Sequence, residues 1–311
     1  MSKPLIFIDG EAGTTGLGIR DRLRALPSVE LHGLPDAHRK DPAARREIMA
    51  DSDLVILCLP DAAARESAAL ADGLGNRAPK LLDASTAHRV HPDWTYGFPE
   101  LSPGQAERIA GASKVANPGC YPTGAVALLR PLVDAGLLPP DHPVCINAVS
   151  GYSGGGRALI EAHERESGPA FELYALGLEH KHIPETEAYA GLTRHPIFVP
   201  SVGHFRQGML VSIPLHLDTL PGKPAISDLQ AILAARYADT DTIRVIAPTR
   251  SGKLEPEALN GTNRMELSVY ANETHRQAVL VARLDNLGKG ASGAAVQNLC
   301  LMLGLKEPTD A

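Results

Sequence analysis

The chain has 311 residues, 44% of them hydrophobic, with a formal net charge of −6 and a pI near 6.1. That much apolar material excludes a disordered chain, and the acidic balance argues against a nucleic-acid binder. No run approaches the roughly 20 apolar residues of a membrane span, so no membrane partner is expected.

"MSKPLIFIDGEAG" lacks the basic region and long apolar segment of a secretion signal, which points to the cytoplasm. Strand-like runs and helix-like segments then alternate: 4–10, 15–26, 29–34, 43–50, 53–60, 61–74 and 80–85, with a short strand at 113–117. This order predicts parallel strands with crossover helices, an α/β doubly wound sheet of the Rossmann type. A helix is expected to begin near Tyr121, with an interruption at Pro131. From about residue 142 β-type runs dominate ("VCINAVSGYS", "HPIFVPSV", "GMLVSIPLHL", "TIRVIAP", "MELSVYAN", "QAVLVARLDN") with few helices between, which predicts a mainly antiparallel sheet. The segment 290–305 reads as a closing helix that packs back on the first domain.

"FIDGEAGTTGLGIRDRL" places Gly10, Gly13 and Gly16 after the first strand, with Thr14 and Thr15 between the last two. Glycines there permit a sharp turn and let backbone N–H groups approach a pyrophosphate resting on the next helix N-terminus. A glycine-rich turn without a ligand is the alternative. Asp9 and Glu11 are unfavourable beside phosphate unless they point away. After the second strand, His38, Arg39 and Lys40 favour the 2′-phosphate of NADP, whereas Asp36 leaves room for NAD.

Four scattered cysteines (Cys58, Cys120, Cys145, Cys300) form neither a disulfide framework nor a zinc motif. Cys120, in "ANPGCYPTG", follows an Asn117-Pro118-Gly119 turn at the start of a helix, where unpaired N–H groups and the helix dipole favour a thiolate. A nucleophile suits that position; a buried structural cysteine is the rival. In "GLEHKHIPETEAY" an extended backbone would put His180 and His182 on one side before Pro184 opens a helix, and His204 is a third candidate for the same cluster. Acid/base service to Cys120 is the preferred use of these histidines, over a metal site or structural imidazoles. Ser85, Thr86 and Arg89 in "DASTAHRV" form a set suited to an oxyanion at the carboxyl edge of the sheet. Arg157 and Arg206 are further anion candidates, unless they are surface ion pairs.

In order along nearly the whole chain, "FIDGEAGTTG", "DASTAHRV", "YGFPE", "ANPGCYPT", "SGYSGGGR", "GLEHKHIPE", "VGHFRQG" and "NLGKGASGAAVQN" resemble the short form of the N-acetyl-γ-glutamyl-phosphate reductases, in the semialdehyde dehydrogenase family. The resemblance implies an NADP-binding Rossmann domain from residues 1–118 plus 287–311. It also implies an α+β catalytic and oligomerisation domain over 119–286, NADP(H) as cofactor, no metal, and a homodimer or homotetramer. Cys120 takes the nucleophile's position and His180 that of the acid/base. Tyr174, His182 and Glu185 fall on supporting positions, and Arg89 matches a phosphate-binding arginine of the related aspartate-semialdehyde dehydrogenases. Ser85, Asn117, His204 and Arg206 complete the expected substrate contacts. Ser150 and Gly151 match residues near the nicotinamide, and Asn286 one that meets its carboxamide; the glycine loop departs from the family pattern. The implied activity is NADPH-dependent reduction of an acyl phosphate to an aldehyde through a cysteine thioester in arginine biosynthesis. The rivals are aspartate-semialdehyde dehydrogenase, a reductase of a carrier-linked aminoadipyl phosphate, a cysteine hydrolase, and a non-catalytic NADP-binding regulator.

Overall fold

Near-continuous apolar runs place apolar side chains on both faces of the first strands, as a sheet covered by helices on each side requires. The computed structural model, which describes residues 2–165 and 168–307, carries this out in the first of two compact units. That unit comprises residues 1–99, 103–118 and 291–311; the second comprises 100–102 and 119–290. The strap 100–102 and the turn 287–290 thus go with the second unit.

In the first unit β1 (Leu5–Asp9), β2 (Glu30–His32), β3 (Leu54–Leu57), β4 (Lys80–Asp83), β5 (Thr95–Tyr96) and β6 (Lys114–Ala116) form a wholly parallel sheet, in the order β2-β1-β3-β4-β6-β5. Ile6, Ile8, Leu54, Ile56 and Leu82 point to one face, against α1 (Thr14–Arg24) and the C-terminal helix Gly293–Leu303. Phe7, Val55, Leu57 and Leu81 point to the other, against α2 (Pro42–Ala50) and α3 (Asp61–Asp72). The strand order reverses between β1 and β3, the crevice where doubly wound sheets bind ligands. Gly10 sits there with φ of +89°, and a Cβ on it would lie 2.4 Å from the Cys58 carbonyl oxygen, so no other residue fits. The helix α4 (Gln105–Gly111) completes this unit.

The second unit opens with α5 (Cys120–Asp134), which runs unbroken through Pro131 rather than ending there. Proline at 131 leaves the Ala127 carbonyl without its helical donor, and the Tyr237 hydroxyl donates to it at 2.8 Å. Then follow β7 (Cys145–Gly151), α6 (Gly156–Arg165), β8 (Phe171–Leu173), α7 (Ile183–Ala190), β9 (Ile197–Gly203), β10 (Met209–His216), α8 (Ile226–Arg236), β11 (Ile243–Val245), β12 (Met265–Asn272) and β13 (Gln277–Leu284). The sheet order is β11-β12-β13-β10-β7-β9-β8, antiparallel except at β11·β12 and β7·β9, so it is mixed. Helices are more frequent than the sequence suggested. A glycine run masked the start of α6, and α8 is set by Asp228, whose carboxylate accepts the Ala225 N–H at 2.8 Å. Among the described residues no helix is long and apolar enough to cross a membrane.

Candidate active site

Cys120 is the first residue of α5, half-buried and free of any disulfide, with Gly119 in extended conformation before it. The Gly119 N–H donates at 2.7 Å to Glu185, a carboxylate only 1% exposed on α7, so the turn before the sulfur is locked. From the other side Gly290 comes so close that a Cβ on it would lie 3.0 Å from the Cβ of Cys120.

Aromatic rings and imidazoles crowd the next residue. Tyr121 meets His180, His182 and Phe198 edge-on, with centroids 6.3, 5.9 and 5.3 Å away, and its hydroxyl donates to the Ser201 carbonyl at 2.9 Å. The ring of Tyr174 lies 5.7 Å from that of His180. Burial pushes the Tyr174 phenol up to about 12, with the neighbouring Cys120 charge adding to the rise. The Tyr121 phenol is raised too, first by burial, then by Tyr174 and Cys120.

His180 and His182 do share one side, with rings 4.8 Å apart, but not by strand alternation. Residues 181–182 form a turn, and the His182 N–H donates to His180 Nδ1 at 3.1 Å. An Nδ1 that accepts leaves the proton of the neutral ring on Nε2. Burial, and then the charge of Lys181, lower the His180 pKa from 6.5 to about 4, so the ring is uncharged at neutral pH.

Elsewhere the expected residues divide. His204 is drawn away from this cluster to His163 (Nδ1 to Nδ1, 2.9 Å), beside Tyr152. Arg206 pairs with Glu164 and Arg157 with Glu161, both as exposed ion pairs. Ser150 is buried on β7 beside Gly151, whose N–H donates to the Gly208 carbonyl at 2.9 Å. Asn286 accepts from the Gly208 N–H at 2.8 Å and donates to Ser153 Oγ at 2.9 Å, so it ties the two loops together. Sequence reasoning passed over Tyr121, Ser153 and Gly290. The aromatic beside the cysteine and the glycines of "NLGKGASG" were the available signals. Among the described residues no three His, Cys, Asp or Glu side chains group as metal ligands do.

In the first unit the glycine loop leads into α1. Gly13 is the N-cap, no side chain caps the helix, and Thr14, Thr15 and Gly16 form its first turn. The two acids beside the loop are neutralised. Asp9 accepts from Arg45 at 2.5 Å and Ser67 at 2.6 Å, and Glu11 pairs with Arg39 at 2.8 Å. A cavity of about 190 Å³ is lined by Gly10, Glu11, Gly33, Leu34, Arg39 and Lys40 among others. His38 stands on the same exposed turn (Asp36–His38) but does not line it.

At the end of β4 the hydroxyls of Ser85 and Thr86 donate to Asp83 (2.9 Å) and Asp61 (2.7 Å), so both serve carboxylates rather than a free oxyanion. Arg89 is buried, and its Nε donates to the Asn117 carbonyl at 3.0 Å. The Asn117 side chain bonds the Ala291 carbonyl (3.1 Å) and the Asn298 amide (3.0 Å), so it braces the unit from within.

The chain is similar to known proteins over nearly its whole length. A family model described as semialdehyde dehydrogenase, dimerisation domain, matches residues 120–286. The chain is 54% identical to an N-acetyl-gamma-glutamyl-phosphate reductase of Burkholderia ambifaria, with 98% of each chain covered. It is 53% identical to N-acetyl-gamma-glutamyl-phosphate reductase 2 of Pseudomonas putida, again with 98% of each covered. Among solved structures, aspartate semialdehyde dehydrogenase II of Vibrio cholerae shares the fold at 16% identity and a TM-score of 0.71, covering 98% of this chain and 99% of that one. The chain, which opens a helix with a cysteine and matches these reductases over 98% of its length, belongs to the N-acetyl-γ-glutamyl-phosphate reductases of the semialdehyde dehydrogenase family.

Proposed function

We propose that the chain reduces N-acetyl-γ-glutamyl phosphate to N-acetylglutamate 5-semialdehyde with NADPH, through a thioester on Cys120, in arginine biosynthesis. One observation carries this reading: a half-buried thiol outside any disulfide opens α5, next to Tyr121, whose ring faces an imidazole that is neutral at physiological pH. The reductases that match over 98% of the chain supply the identity of the substrate.

The Cys120 thiolate attacks the acyl carbon; the C–S bond forms, the C–O bond to phosphate breaks, and phosphate leaves with the electron pair. Arg89 is assigned to that phosphate. NADPH, when bound, supplies hydride to an acyl carbon that accepts it far more readily as thioester than as carboxylate. The substrate oxygen gathers negative charge, and the Nε2–H of His180 is the donor assigned to it. Its collapse returns the C–S electrons to sulfur and releases the aldehyde.

The residues fit the cofactor. The uncapped N-terminus of α1 offers the N–H groups of Thr14 and Thr15 to a pyrophosphate, and Gly10 and Gly16 let the loop fold tightly, since a Cβ on either would strike backbone atoms of Cys58 or Glu11. Arg39 and Lys40 line the adjacent cavity and are assigned to the 2′-phosphate, with His38 on the same turn. Ser150, Gly151 and Asn286 are assigned to the nicotinamide end.

Self-association is the second element of the proposal, since the matched family model is of a dimerisation domain. The sheet of the second unit has a groove of about 620 Å³ lined by Val149, Val199, Leu210, Val279 and Val281, and beside it Phe171 and Leu173 are exposed. An apolar surface of that kind marks a protein contact, here a homodimer or homotetramer. Sedimentation velocity on the purified chain should show one of these, and a monomer at micromolar concentration would overturn it. Four cysteines outside any disulfide suit a reducing cytoplasm.

The reverse reaction tests the activity. N-acetylglutamate semialdehyde, phosphate and NADP+ should generate NADPH absorbance, with NAD+ a poorer acceptor and aspartate semialdehyde a poorer substrate. A hydrolase would give no nicotinamide signal, and a preference for aspartate semialdehyde would transfer the chain's activity to the neighbouring reductase class.

A further inference from the structure

We propose that His88 is a positioning residue for Arg89, held in place by the buried carboxylate of Asp83. The proposal rests on the reading of Arg89 as the phosphate ligand.

Asp83 ends β4 with its side chain fully buried. Its carboxylate collects the Ser85 N–H at 2.8 Å, the Ser85 hydroxyl at 2.9 Å and Nδ1 of His88 at 2.6 Å. Donors from a single five-residue stretch therefore curl residues 84–88 around one anion. Ser85 Oγ tightens the curl by accepting the Ala87 N–H at 3.0 Å. The His88 ring is buried and stacks on Trp94, with centroids 4.1 Å apart and planes within 12°. Bonded at one edge and stacked on a face, that imidazole has one orientation, and the backbone at 88 is fixed with it.

The next residue is Arg89. Its Nε reaches the Asn117 carbonyl, and the Asn117 N–H in turn donates at 2.7 Å to the Asp83 carbonyl. Asp83 thus organises both ends of the arrangement, through its carboxylate on the turn and through its carbonyl on the strand end that receives the guanidinium. An arginine side chain loses rotamer freedom when it closes on an anion, so a stem held in advance strengthens binding. His88 is a buried titratable side chain that the proposed chemistry does not use, and this placement accounts for it.

The test uses the reverse reaction with the intact enzyme, varying inorganic phosphate. His88→Phe keeps the stack on Trp94 but removes the donor to Asp83. His88→Asn supplies an amide N–H in place of Nδ1. In His88→Phe the KM for phosphate should rise about tenfold or more, the loss expected of one hydrogen bond to a charged group, with the KM for NADP+ unmoved. His88→Asn should restore the phosphate KM to within about threefold of wild type. Arg89→Gln is the control for the underlying reading. If it leaves the phosphate KM unchanged, Arg89 is not the phosphate ligand and the proposal falls with it. If Arg89→Gln raises that KM while His88→Phe does not, the positioning role alone is wrong. Equal losses in all parameters of His88→Phe, tracking a lowered melting temperature, would reduce His88 to packing and also overturn the proposal.

Discussion

Cys120→Ser is expected to lower reductive turnover by about 10⁴-fold or more while NADPH still binds, because removing a covalent nucleophile eliminates the route rather than slowing one step of it. Serine matches the size of cysteine and is well tolerated at a helix start, so α5 keeps its N-terminus. The Glu185 bond to the Gly119 N–H and the Gly290 contact depend on backbone and Cβ atoms that the substitution leaves in place. Unchanged fold and lost chemistry are therefore separable: fluorescence titration with NADPH should match wild type, while single-turnover reduction should disappear. Mass spectrometry of the wild type mixed with acyl phosphate, without NADPH, should show one acyl group on the peptide carrying Cys120. Full turnover in the serine variant would remove the thioester from the mechanism.

What makes that sulfur readable from sequence is local: a Pro-Gly turn, then apolar spacing that starts a helix. The same holds for the first unit, where the continuous apolar runs in "LIFID" and "LVIL" specify strands buried on two faces. Features set by distant partners were not legible. Pro131 is expected to interrupt α5, yet Tyr237, 110 residues from Ala127, satisfies the carbonyl that proline leaves bare. Asp9 and Glu11 look hostile to a phosphate until Arg45, Ser67 and Arg39 are seen to neutralise them. β5, with two residues, carries too few positions for any period to register, and β8, exposed at all three of its positions, has no buried face to pattern. His180 and His182 illustrate a right pairing reached through the wrong backbone, since a turn brings them together where alternation was assumed. Arg206, expected among the substrate contacts, pairs with Glu164 at the surface, a partner 42 residues away that motif position does not reveal.

His180→Asn is the second decisive change, expected to lower kcat by about 10²–10⁴-fold, the usual contribution of a positioned proton donor. Its pH behaviour separates it from a packing loss. The folded ring titrates near 4, against an ordinary 6.5, because burial and then Lys181 oppose its charge. A step that needs the neutral Nε2–H ring should hold its rate from neutral pH down through mildly acidic solution, then fall as pH drops toward 4. Stability follows the same sign: the unfolded imidazole takes up a proton between 6.5 and 4 while the folded one does not, so this group's contribution is present above 6.5 and is lost as pH falls through that window. In His180→Asn the acid limb of the rate profile should vanish along with most of the rate. Lys181→Gln offers a milder probe on an exposed side chain. Removing its charge should move the limb upward in pH, with kcat at neutral pH nearly unchanged. A profile indifferent to both substitutions would hand the proton to His182, whose ring lies 4.8 Å away.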